Sequence, residues 1–350
     1  MSLSSPEVPA GIVRWPAEWE PHAGTWLAWP HNRRTWPDDV EALECAFHDA
    51  ILALTTSEPV HVAVADEPTL ARVRARFAAV DGAAWHPPNL RLHLLPTDDA
   101  WCRDYGPVCV RWGAGVAAVD FRFNAWGGKY PACALDDAAG AKMAAAVGVP
   151  CLTSEFVLEG GSIDGNGAGL VATTEQCLLN PNRNPDMSLL EIEQTLQRWL
   201  GGRDVIWLGG GVVGDDTDGH VDNLARFVAP DTMLVLTEPD LLDANYEALE
   251  DNLERARDYR GPRGERLTVL PVAAPEPLLH QGRRLPASYV NFYIGNRVVL
   301  VPQFGGARDA AALACIASCF PDRRAVGVDS RVVVRGNGGW HCLTQQIGAA

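Results

Sequence analysis

The chain has 350 residues, 47% of them hydrophobic, which is enough to bury the core of one large globular domain or of two ordinary ones. Its formal net charge of −15 argues against nucleic acid or an anionic membrane as a partner and would draw small cations towards an acidic cleft, although solubility alone also accounts for it. Nine cysteines without a CxxC pair, and no visible export or membrane-spanning segment, predict reduced thiols and a cytoplasmic location.

The predicted elements repeat one design along the chain: two β-rich runs joined by a turn and followed by a helical stretch. The N-terminal unit comprises a strand around TWLAWP, a helix over residues 40–54 and an apolar strand over Val60–Val64. The next unit begins at Asp104, turns at residues 113–115 and ends in a helix over residues 136–147. The order of these elements predicts an α/β protein.

Three further units share this design and begin at Glu159, Asp218 and Ala287. Their predicted turns lie at residues 164–169, 230–231 and 295–296, and their predicted helices at Leu189–Leu200, 241–259 and 308–319. Units that start roughly 55 to 75 residues apart suit a closed ring of ββαβ modules. We therefore expect a single domain over residues 1–350, with residues 1–14 as a flexible N-terminal segment. A generic α/β sandwich whose strand ends happen to be polar is the alternative.

A closed ring would bring the openings of its units together, and chemically useful residues stand at those openings. They are Asp104, Glu159, His220, Asp222 and, in the last piece of the chain, Cys342. The cysteine follows a glycine-rich turn in GNGGWHCLTQQIG, where little side-chain bulk hinders a substrate, so its thiolate could act as a nucleophile. Packing as a small buried hydrophobe is the structural alternative for Cys342.

The segment GDDTDGHVDNLARF, residues 214–227, places His220 and Asp222 two residues apart, on the same face if the segment is an extended strand. The imidazole could transfer protons near neutral pH, and the carboxylate could accept hydrogen bonds from a planar guanidinium. A solvated acidic loop with a structural histidine is one alternative. A divalent-metal site is the other alternative, with ligands from Asp215, Asp216, Asp218, His220 and Asp222.

Two further carboxylates stand in surroundings that suit a cationic substrate. In DDAWCRDYGP, Asp104 follows Trp101 by three residues, and a carboxylate beside an aromatic ring suits a cation with an alkyl stem. The alternative is a core tryptophan next to a surface pair of Arg103 and Asp104. Glu159 ends an apolar strand before two glycines, where it could orient the histidine or simply close a turn.

Seven segments, spread from Trp15 to Gly348, are more specific as an ordered set than any one of them alone. They are WPAEWEPHAGTWLAWPHNRRTWP, DDAWCRDYGP, FNAWGG, LEGGSIDGNG, TTEQCLLNPNRNP, DDTDGHVDN and HCLTQQIG. In this order they resemble the agmatine deiminase (agmatine iminohydrolase) group of the peptidylarginine deiminase-like guanidine-modifying enzymes.

The resemblance implies a pentein fold, an α/β propeller of five ββαβ blades with pseudo-fivefold symmetry. It also implies hydrolysis of the small cation agmatine to N-carbamoylputrescine and ammonia through a covalent cysteine thioether, without a metal or organic cofactor. Carried over by motif, the site residues are Cys342 as nucleophile, His220 as general acid and base, Asp104 and Asp222 as guanidinium-binding carboxylates, Glu159 as a further site carboxylate and Trp101 in the substrate channel.

Other functions explain part of the same pattern. A deiminase of arginine or peptidyl-arginine, giving citrulline, would use the same guanidinium chemistry and differ only at the far end of the substrate. A metal-dependent hydrolase built on the acidic cluster would lose activity on chelation, and a silent binding protein would bind guanidinium without turnover. The sequence also leaves open whether the chain forms a homo-oligomer.

Two features of the tail bear on the pocket and the nucleophile. The family usually reads GGGNIHC around the nucleophile, whereas this chain reads GNGGWHC, so an asparagine has moved and Trp340 replaces an aliphatic residue. The change leaves Cys342 in place and bears on the shape of the pocket and the length of substrate. Because nearby carboxylates raise the pKa of a thiol, we expect Cys342 to be only partly ionised in the free enzyme. Protonated His220 and the substrate cation would favour the thiolate.

Overall fold

A computed structural model describes residues 13–78, 87–131 and 133–349. Within these ranges the chain forms ten α-helical segments: α1 Val40–Thr55, α2 Glu67–Ala78, α3 Cys102–Tyr105, α4 Ala125–Gly128, α5 Ala134–Asp137, α6 Ala139–Ala146, α7 Glu175–Leu178, α8 Leu189–Leu200, α9 Tyr246–Asp258 and α10 Asp309–Cys319. Three 3₁₀ turns span Gly160–Ser162, Val221–Asn223 and Val333–Gly336. Over the described part of the chain, no helix is long and apolar enough to span a membrane.

Nineteen β-strands, most of them short, lie within the same ranges. In chain order they are β1 Val13–Arg14, β2 His22–Ala28, β3 Val60–Val64, β4 Leu90–Leu94, β5 Val108–Trp112, β6 Gly115–Arg122, β7 Cys151–Val157, β8 Asp164–Gly165, β9 Leu170–Thr174, β10 Asp204–Leu208, β11 Ala225–Ala229, β12 Thr232–Thr237, β13 Thr268–Ala273, β14 Leu279–His280, β15 Arg283–Arg284, β16 Tyr293–Ile294, β17 Val298–Gln303, β18 Arg324–Asp329 and β19 Gln345–Gly348. Strand β9 is buried along its whole length, which is typical of a strand covered on both faces.

Five sheets share one strand order, an antiparallel pair followed by a strand that joins in parallel. The orders are β5–β6–β7, β8–β9–β10, β11–β12–β13, β16–β17–β18 and β19–β2–β3. At least one helix connects the two parallel strands of each sheet, as such a crossover requires. The predicted α/β class is therefore confirmed, and no sheet of the described residues closes on itself.

The two ends of the described chain belong to sheets. Strand β19 pairs antiparallel with β2, so the C-terminal strand completes the N-terminal unit. Strand β1 pairs antiparallel with β5, and Val13 and Arg14 are therefore part of a sheet rather than of the flexible segment predicted over residues 1–14. Residues 1–12 of that prediction lie outside the described residues.

Helix α8 confirms the prediction for Leu189–Leu200, because the local sequence supplies both of its ends. Oγ of Ser188 accepts the amide of Glu191, and the carboxylate of Glu191 accepts the amide of Ser188, which is a capping box. Gly201 then takes φ 70°, the left-handed conformation that commonly ends a helix. Short-range signals of this kind are visible in the sequence.

The helix predicted over residues 241–259 is shorter in the structure, where α9 begins only at Tyr246. The residues before it form turns, because Oδ1 of Asp240 and Oδ1 of Asp243 each accept the amide two residues ahead. Aspartate side chains that bind local amides compete with helix formation, and hydrophobic periodicity does not register this competition. The start of the prediction was wrong for that reason.

A short turn or loop leads into the first strand of each of the five sheets, ahead of β5, β8, β11, β16 and β19. In that order, these connections carry Asp104, Glu159, Asp222, Asn291 and Cys342. All five side chains are buried. Each ββαβ unit thus contributes at least one buried polar group to the candidate site.

Candidate active site

A cavity of about 460 Å³ opens beside Cys342, a size that suits one small molecule. Its wall combines aromatic rings with charged groups of both signs. The aromatic and ionisable lining residues are Trp101, Phe123, Trp126, Tyr130, Asp98, Asp99, Asp104, Asp136, Asp216, Arg34, Arg283 and Arg335. Such a wall suits a small molecule with an apolar stem and charged ends.

The thiol of Cys342 lies between an amide and a carboxylate. Nδ2 of Asn291 donates to Sγ at 3.0 Å, and Sγ donates to Oδ2 of Asp222 at 3.3 Å. Burial, and then the charges of Asp222 and Asp104, raise the pKa of Cys342 well above its ordinary value. Without a cation beside it, the sulfur is therefore held as the thiol at neutral pH.

Asp104, His220 and Asp222 converge on one point. A Cβ placed on Gly161 would lie 2.7 Å from Oδ1 of Asp104 and 2.7 Å from Nδ1 of His220. It would also lie 3.0 Å from Oδ2 of Asp222. Glycine at position 161 therefore leaves the space in which these three groups meet.

The carboxylate of Asp104 accepts a hydrogen bond on each oxygen. The amide of Gly161 donates to Oδ1 at 3.0 Å, and the indole Nε1 of Trp126 donates to Oδ2 at 2.9 Å. Burial is the main cause that raises the pKa of Asp104 to about 6, while His220 lowers it and Asp222 raises it. Asp104 is therefore charged at neutral pH and loses its charge in mild acid.

The imidazole of His220 is fully buried among groups that favour its protonated form. Burial by itself lowers the pKa of His220, but Asp104, Cys177 and Glu159 together raise it to about 10. Nδ1 of His220 lies 3.7 Å from Oδ1 of Asp104. The ring therefore carries a positive charge at neutral pH and can act as a proton donor.

Glu159 lies close to His220 and is paired with an arginine. Nε of Arg183 donates to Oε1 of Glu159 at 2.7 Å, and both side chains are fully buried. Ligand atoms of Glu159, Cys177 and His220 all lie within 4.8 Å of one another, close enough to share a metal ion. The guanidinium of Arg183 and the protonated imidazole oppose a further cation there, so the arrangement suits an imidazolium better than a metal.

Trp101 lines the cavity next to the glycine-rich turn. Its ring packs on Trp36 with the ring centroids 5.1 Å apart, and a Cβ on Gly338 would overlap Cζ3 of Trp101. The absence of a side chain at Gly338 therefore makes room for this indole. The predicted alternative of a surface pair of Arg103 and Asp104 is wrong, because both side chains are buried.

Asp222 is held by the residue that precedes Cys342. Nδ1 of His341 lies 2.8 Å from Oδ2 of Asp222, and Nε2 of His341 lies 3.0 Å from Oε2 of Glu18. Burial raises the pKa of Asp222, but the hydrogen bond and charge of His341 bring it below its ordinary value. Asp222 therefore remains a carboxylate although it is fully buried.

Known proteins resemble this chain over nearly its whole length. Residues 14–348 match the family model described as Porphyromonas-type peptidyl-arginine deiminase. The chain belongs to this family. It is 38% identical over 357 residues to the agmatine deiminase of Pseudomonas aeruginosa, with 95% of each chain covered.

Solved structures with the same overall fold include two agmatine deiminases. That of Enterococcus faecalis has a TM-score of 0.89 at 33% identity, covering 99% of this chain and 98% of that one. A cysteine-to-serine variant of the C. jejuni agmatine deiminase with substrate bound has a TM-score of 0.87 at 28% identity, covering 98% of both chains. The fold of this member of the Porphyromonas-type family is thus shared with agmatine deiminases.

In this family member, the structure brings the sequence-predicted site residues together. Those that line the cavity are Trp101, Asp104 and Cys342. Those that lie fully buried beside them are His220, Asp222 and Glu159. Cys342 is buried, as the alternative of a small buried hydrophobe predicts. Its thiol nevertheless faces a cavity and polar partners rather than a purely apolar core.

The local geometry of His220 and Asp222 differs from the prediction. Val221–Asn223 forms a 3₁₀ turn, and the strand begins only at Ala225. Gly219 precedes the turn with φ 82°, which only a residue without Cβ adopts readily. The expectation of an extended strand was therefore wrong, and the two side chains meet the other site groups through a tight turn instead.

The acidic cluster that was the alternative metal site is divided among separate partners. These are Thr217 for Asp215, Tyr130 and Asn337 for Asp216, Lys129 and Arg183 for Asp218, and His341 for Asp222. Since each carboxylate is engaged by a different part of the protein, the structure does not gather them into one ligand set. The metal alternative thereby loses its geometric basis.

The tail differs from the usual family motif at Asn337 and at Trp340, and only Asn337 lies in the pocket wall. Trp340 is fully buried, donates from Nε1 to Oγ of Ser330 at 2.9 Å and packs on Phe47. Asn337 lines the cavity with φ 71° and donates from Nδ2 to Oδ2 of Asp216 at 2.9 Å. Asparagine tolerates this left-handed conformation better than most residues.

Several residues of the site were missed in the sequence. They are Glu18, Trp126, Cys177, Arg183, Asn291 and His341. All but Asn291 lie inside segments that carry the family resemblance, so their position in a family motif could have marked them as site residues. Asn291 lies in the segment ASYVNF, which has no feature to distinguish it from an ordinary strand opening.

Proposed function

We propose that this protein hydrolyses agmatine to N-carbamoylputrescine and ammonia. The observation that carries the proposal is the 3.3 Å contact between Sγ of Cys342 and Oδ2 of Asp222. A thiol beside carboxylates and an imidazolium suits attack on the carbon of a guanidinium that the carboxylates hold. Agmatine deiminases among the relatives support agmatine as the substrate.

In the first half of the proposed reaction, the guanidinium carbon becomes bonded to sulfur. Asp104 and Asp222 bind the guanidinium nitrogens and orient the carbon towards Cys342. The thiolate attacks and gives a tetrahedral adduct, and protonated His220 donates its proton to the departing nitrogen. The C–N bond breaks, ammonia leaves, and an amidino thioether remains on the cysteine.

In the second half, water replaces the departed ammonia. Neutral His220 takes a proton from a water molecule as its oxygen adds to the thioether carbon. The C–S bond then breaks, which releases N-carbamoylputrescine and returns the thiolate of Cys342. Glu159, fixed by Arg183, keeps the imidazole oriented through both steps. One water is consumed and one ammonia is released per turnover.

The buried carboxylates disfavour the thiolate form of Cys342 that this reaction needs. The positive charge of the substrate counters this effect. A guanidinium on Asp104 and Asp222 places a positive charge next to Cys342 and so lowers the pKa of its thiol. We therefore expect substrate binding to promote ionisation. Ultraviolet absorbance or thiol alkylation, with and without a guanidinium ligand, measures the effect. A Cys342 fully ionised at neutral pH in the free protein would contradict it.

The charged groups that line the cavity bear on the choice between agmatine and arginine. Carboxylates suited to the ammonium group of agmatine are those of Asp98, Asp99 and Asp216. Burial raises the pKa of Asp136 to about 8, so that carboxyl is largely neutral. Guanidinium groups that could attract the carboxylate of free arginine are those of Arg34, Arg283 and Arg335. Arg335 is paired with Asp39, which offsets its charge. The balance supports agmatine, with arginine as the second candidate.

We propose that the five ββαβ units form the blades of a five-bladed pentein propeller. Its support is the strand order that five sheets share and the pairing of β19 with β2, which joins the two ends of the chain. We also propose a cytoplasmic location, supported by nine cysteines of which none forms a disulfide.

An ammonia-release assay on agmatine, arginine and a blocked arginine peptide tests the proposed function. We expect turnover of agmatine and its loss in Cys342→Ala and in His220→Ala. Cys45→Ala, which removes an exposed thiol outside the site, should keep wild-type activity. Undiminished turnover in either site variant would reject that assignment, and activity on arginine but not on agmatine would replace the proposed substrate.

A further inference from the structure

Four buried groups form a continuous row that ends at the proposed nucleophile. Oε2 of Glu18 lies 3.0 Å from Nε2 of His341, whose Nδ1 lies 2.8 Å from Oδ2 of Asp222. The same oxygen of Asp222 accepts the thiol of Cys342 at 3.3 Å. No member of the row is more than 6% exposed, so water does not screen the charges along it.

The hydrogen-bond partners of His341 indicate the charge of its imidazole ring. Each nitrogen of His341 faces a carboxylate oxygen, and a carboxylate can only accept, so both nitrogens donate. An imidazole with two N–H donors is the imidazolium cation. The charged groups around it are Glu18 and Asp222 at its nitrogens, Arg103 at its backbone carbonyl, and Arg226 and Asp164 beyond Glu18.

Glu18 is held in place from three sides. Its Oε1 accepts the amide of Ile294 at 2.8 Å and pairs with Arg226 at 2.9 Å, and its Oε2 accepts Arg103 at 2.9 Å. Burial raises the pKa of Glu18, but Arg226, His341 and Arg103 hold it well below its ordinary range. The carboxylate that anchors His341 is therefore charged and fixed.

We propose that His341 and Glu18 are positioning residues that keep Asp222 charged and directed at the thiol without touching the substrate. The imidazolium fixes Oδ2 of Asp222 beside Cys342 and favours its ionised form. Without that cation, Asp222 is a buried carboxylate next to a thiol and near Asp104, with His220 as its remaining cationic neighbour, and it binds a proton more readily in place of a guanidinium. The inference rests on the proposed function in one respect, that Asp222 binds the cationic group of the substrate.

Two small alkylating reagents measure the charge at Asp222 without any turnover. Chloroacetamidine carries an amidinium that mimics a guanidinium, whereas chloroacetamide has the same leaving group and is neutral. The ratio of their alkylation rates at Cys342 is followed by mass spectrometry of the peptide that contains it. We expect the wild-type protein to react faster with chloroacetamidine, because the carboxylates bind its cation.

Loss of the row should remove this preference. Glu18→Gln and His341→Asn are each expected to lower the rate ratio about tenfold at neutral pH, as for a pKa of Asp222 raised by about one unit above the solution pH. The ratio should recover as the pH rises and Asp222 ionises again, which damage to the fold would not do. Asp164→Asn is the matched control, since it removes the other carboxylate at Arg226 and does not contact His341.

Each outcome decides for or against the inference. A ratio unchanged in both row variants, an equal loss in Asp164→Asn, or a wild-type protein without preference for the amidinium overturns it. If Glu18→Gln does not fold, His341→Asn decides alone, because it leaves Glu18 and its arginines in place. A wild-type protein that prefers chloroacetamidine but releases no ammonia from agmatine contradicts the proposed function and leaves this inference standing.

Discussion

The indole Nε1 of Trp126 donates a hydrogen bond of 2.9 Å to Oδ2 of Asp104. Ala125 and Trp126 both have positive φ, 57° and 54°, a conformation that costs roughly 1–2 kcal/mol per non-glycine residue. The backbone is thus strained at the position where the indole N–H of Trp126 binds the buried carboxylate of Asp104. The bond stabilises the charged form of Asp104, against the burial that raises its pKa to about 6.

Trp126→Phe should move the acid limb of kcat/KM to higher pH. Asp104 binds a cation only as the carboxylate, which is present above its pKa and lost as the pH falls through it. Without the indole N–H, the pKa of Asp104 rises above about 6, and we expect the limb to move up by about half to one unit. Ammonia release from agmatine across roughly pH 5 to 9 measures the limb.

Trp207→Phe is the control for this shift. It removes a similar indole bond of 2.9 Å, to Oε1 of Glu193, outside the candidate site. The acid limb should stay in place in this variant. An unmoved limb in Trp126→Phe, or equal shifts in both variants, would show that the bond to Asp104 does not set the pH dependence.

Gly161→Ala should lower kcat/KM by about 100-fold or more, since misplacement of catalytic groups by about 1 Å has effects of that size. The added Cβ would lie 2.7 Å from both Asp104 and His220, so these groups must separate. Gly115→Ala, where a Cβ meets nothing within 4 Å, should be close to the wild type. Steady-state kinetics with a melting curve for each variant provide the comparison. Full activity in Gly161→Ala would mean that these groups need not converge for turnover.

Arg183→Met should destabilise the fold by about 3–5 kcal/mol, because it leaves Glu159 buried without its cation. Arg331→Met removes a largely exposed pair with Asp329 and should change the free energy of unfolding by less than about 1 kcal/mol. Chemical denaturation of both variants measures the difference. Equal and small effects would indicate that Glu159 becomes neutral or hydrated at little cost when Arg183 is absent.

Asn337→Gly and Trp340→Phe should separate the two parts of the altered tail. Glycine accepts φ 71° and removes the side chain that holds Asp216, so we expect a changed KM for agmatine and little change in stability. Trp340→Phe loses core volume and the bond to Ser330, so we expect a loss of about 2 kcal/mol in stability with KM unchanged. The reverse pattern would place Trp340, and not Asn337, in the substrate pocket.

Elements whose signals are local could be predicted from the sequence. Strand β3 spans Val60–Val64 as predicted, because a short apolar run is typical of a buried strand. Helix α8 follows its apolar spacing and ends at Gly201, which takes the left-handed conformation. By contrast, the start of α9 and the turn after Gly219 depend on backbone conformations and side-chain hydrogen bonds that hydrophobic spacing does not encode.

The sequence by itself determined which residue types stand at the openings of the units, including Asp104, His220 and Cys342. The tertiary structure alone decided their partners. Glu18 and His341 are 323 positions apart, yet they meet because β19, which follows His341, pairs with β2, which follows Glu18. Burial in that packing excludes water, which strengthens each charge contact and shifts the pKa of Asp104 and Cys342. Periodicity and spacing act over a few residues, whereas this electrostatic environment exists only once the sheets are assembled.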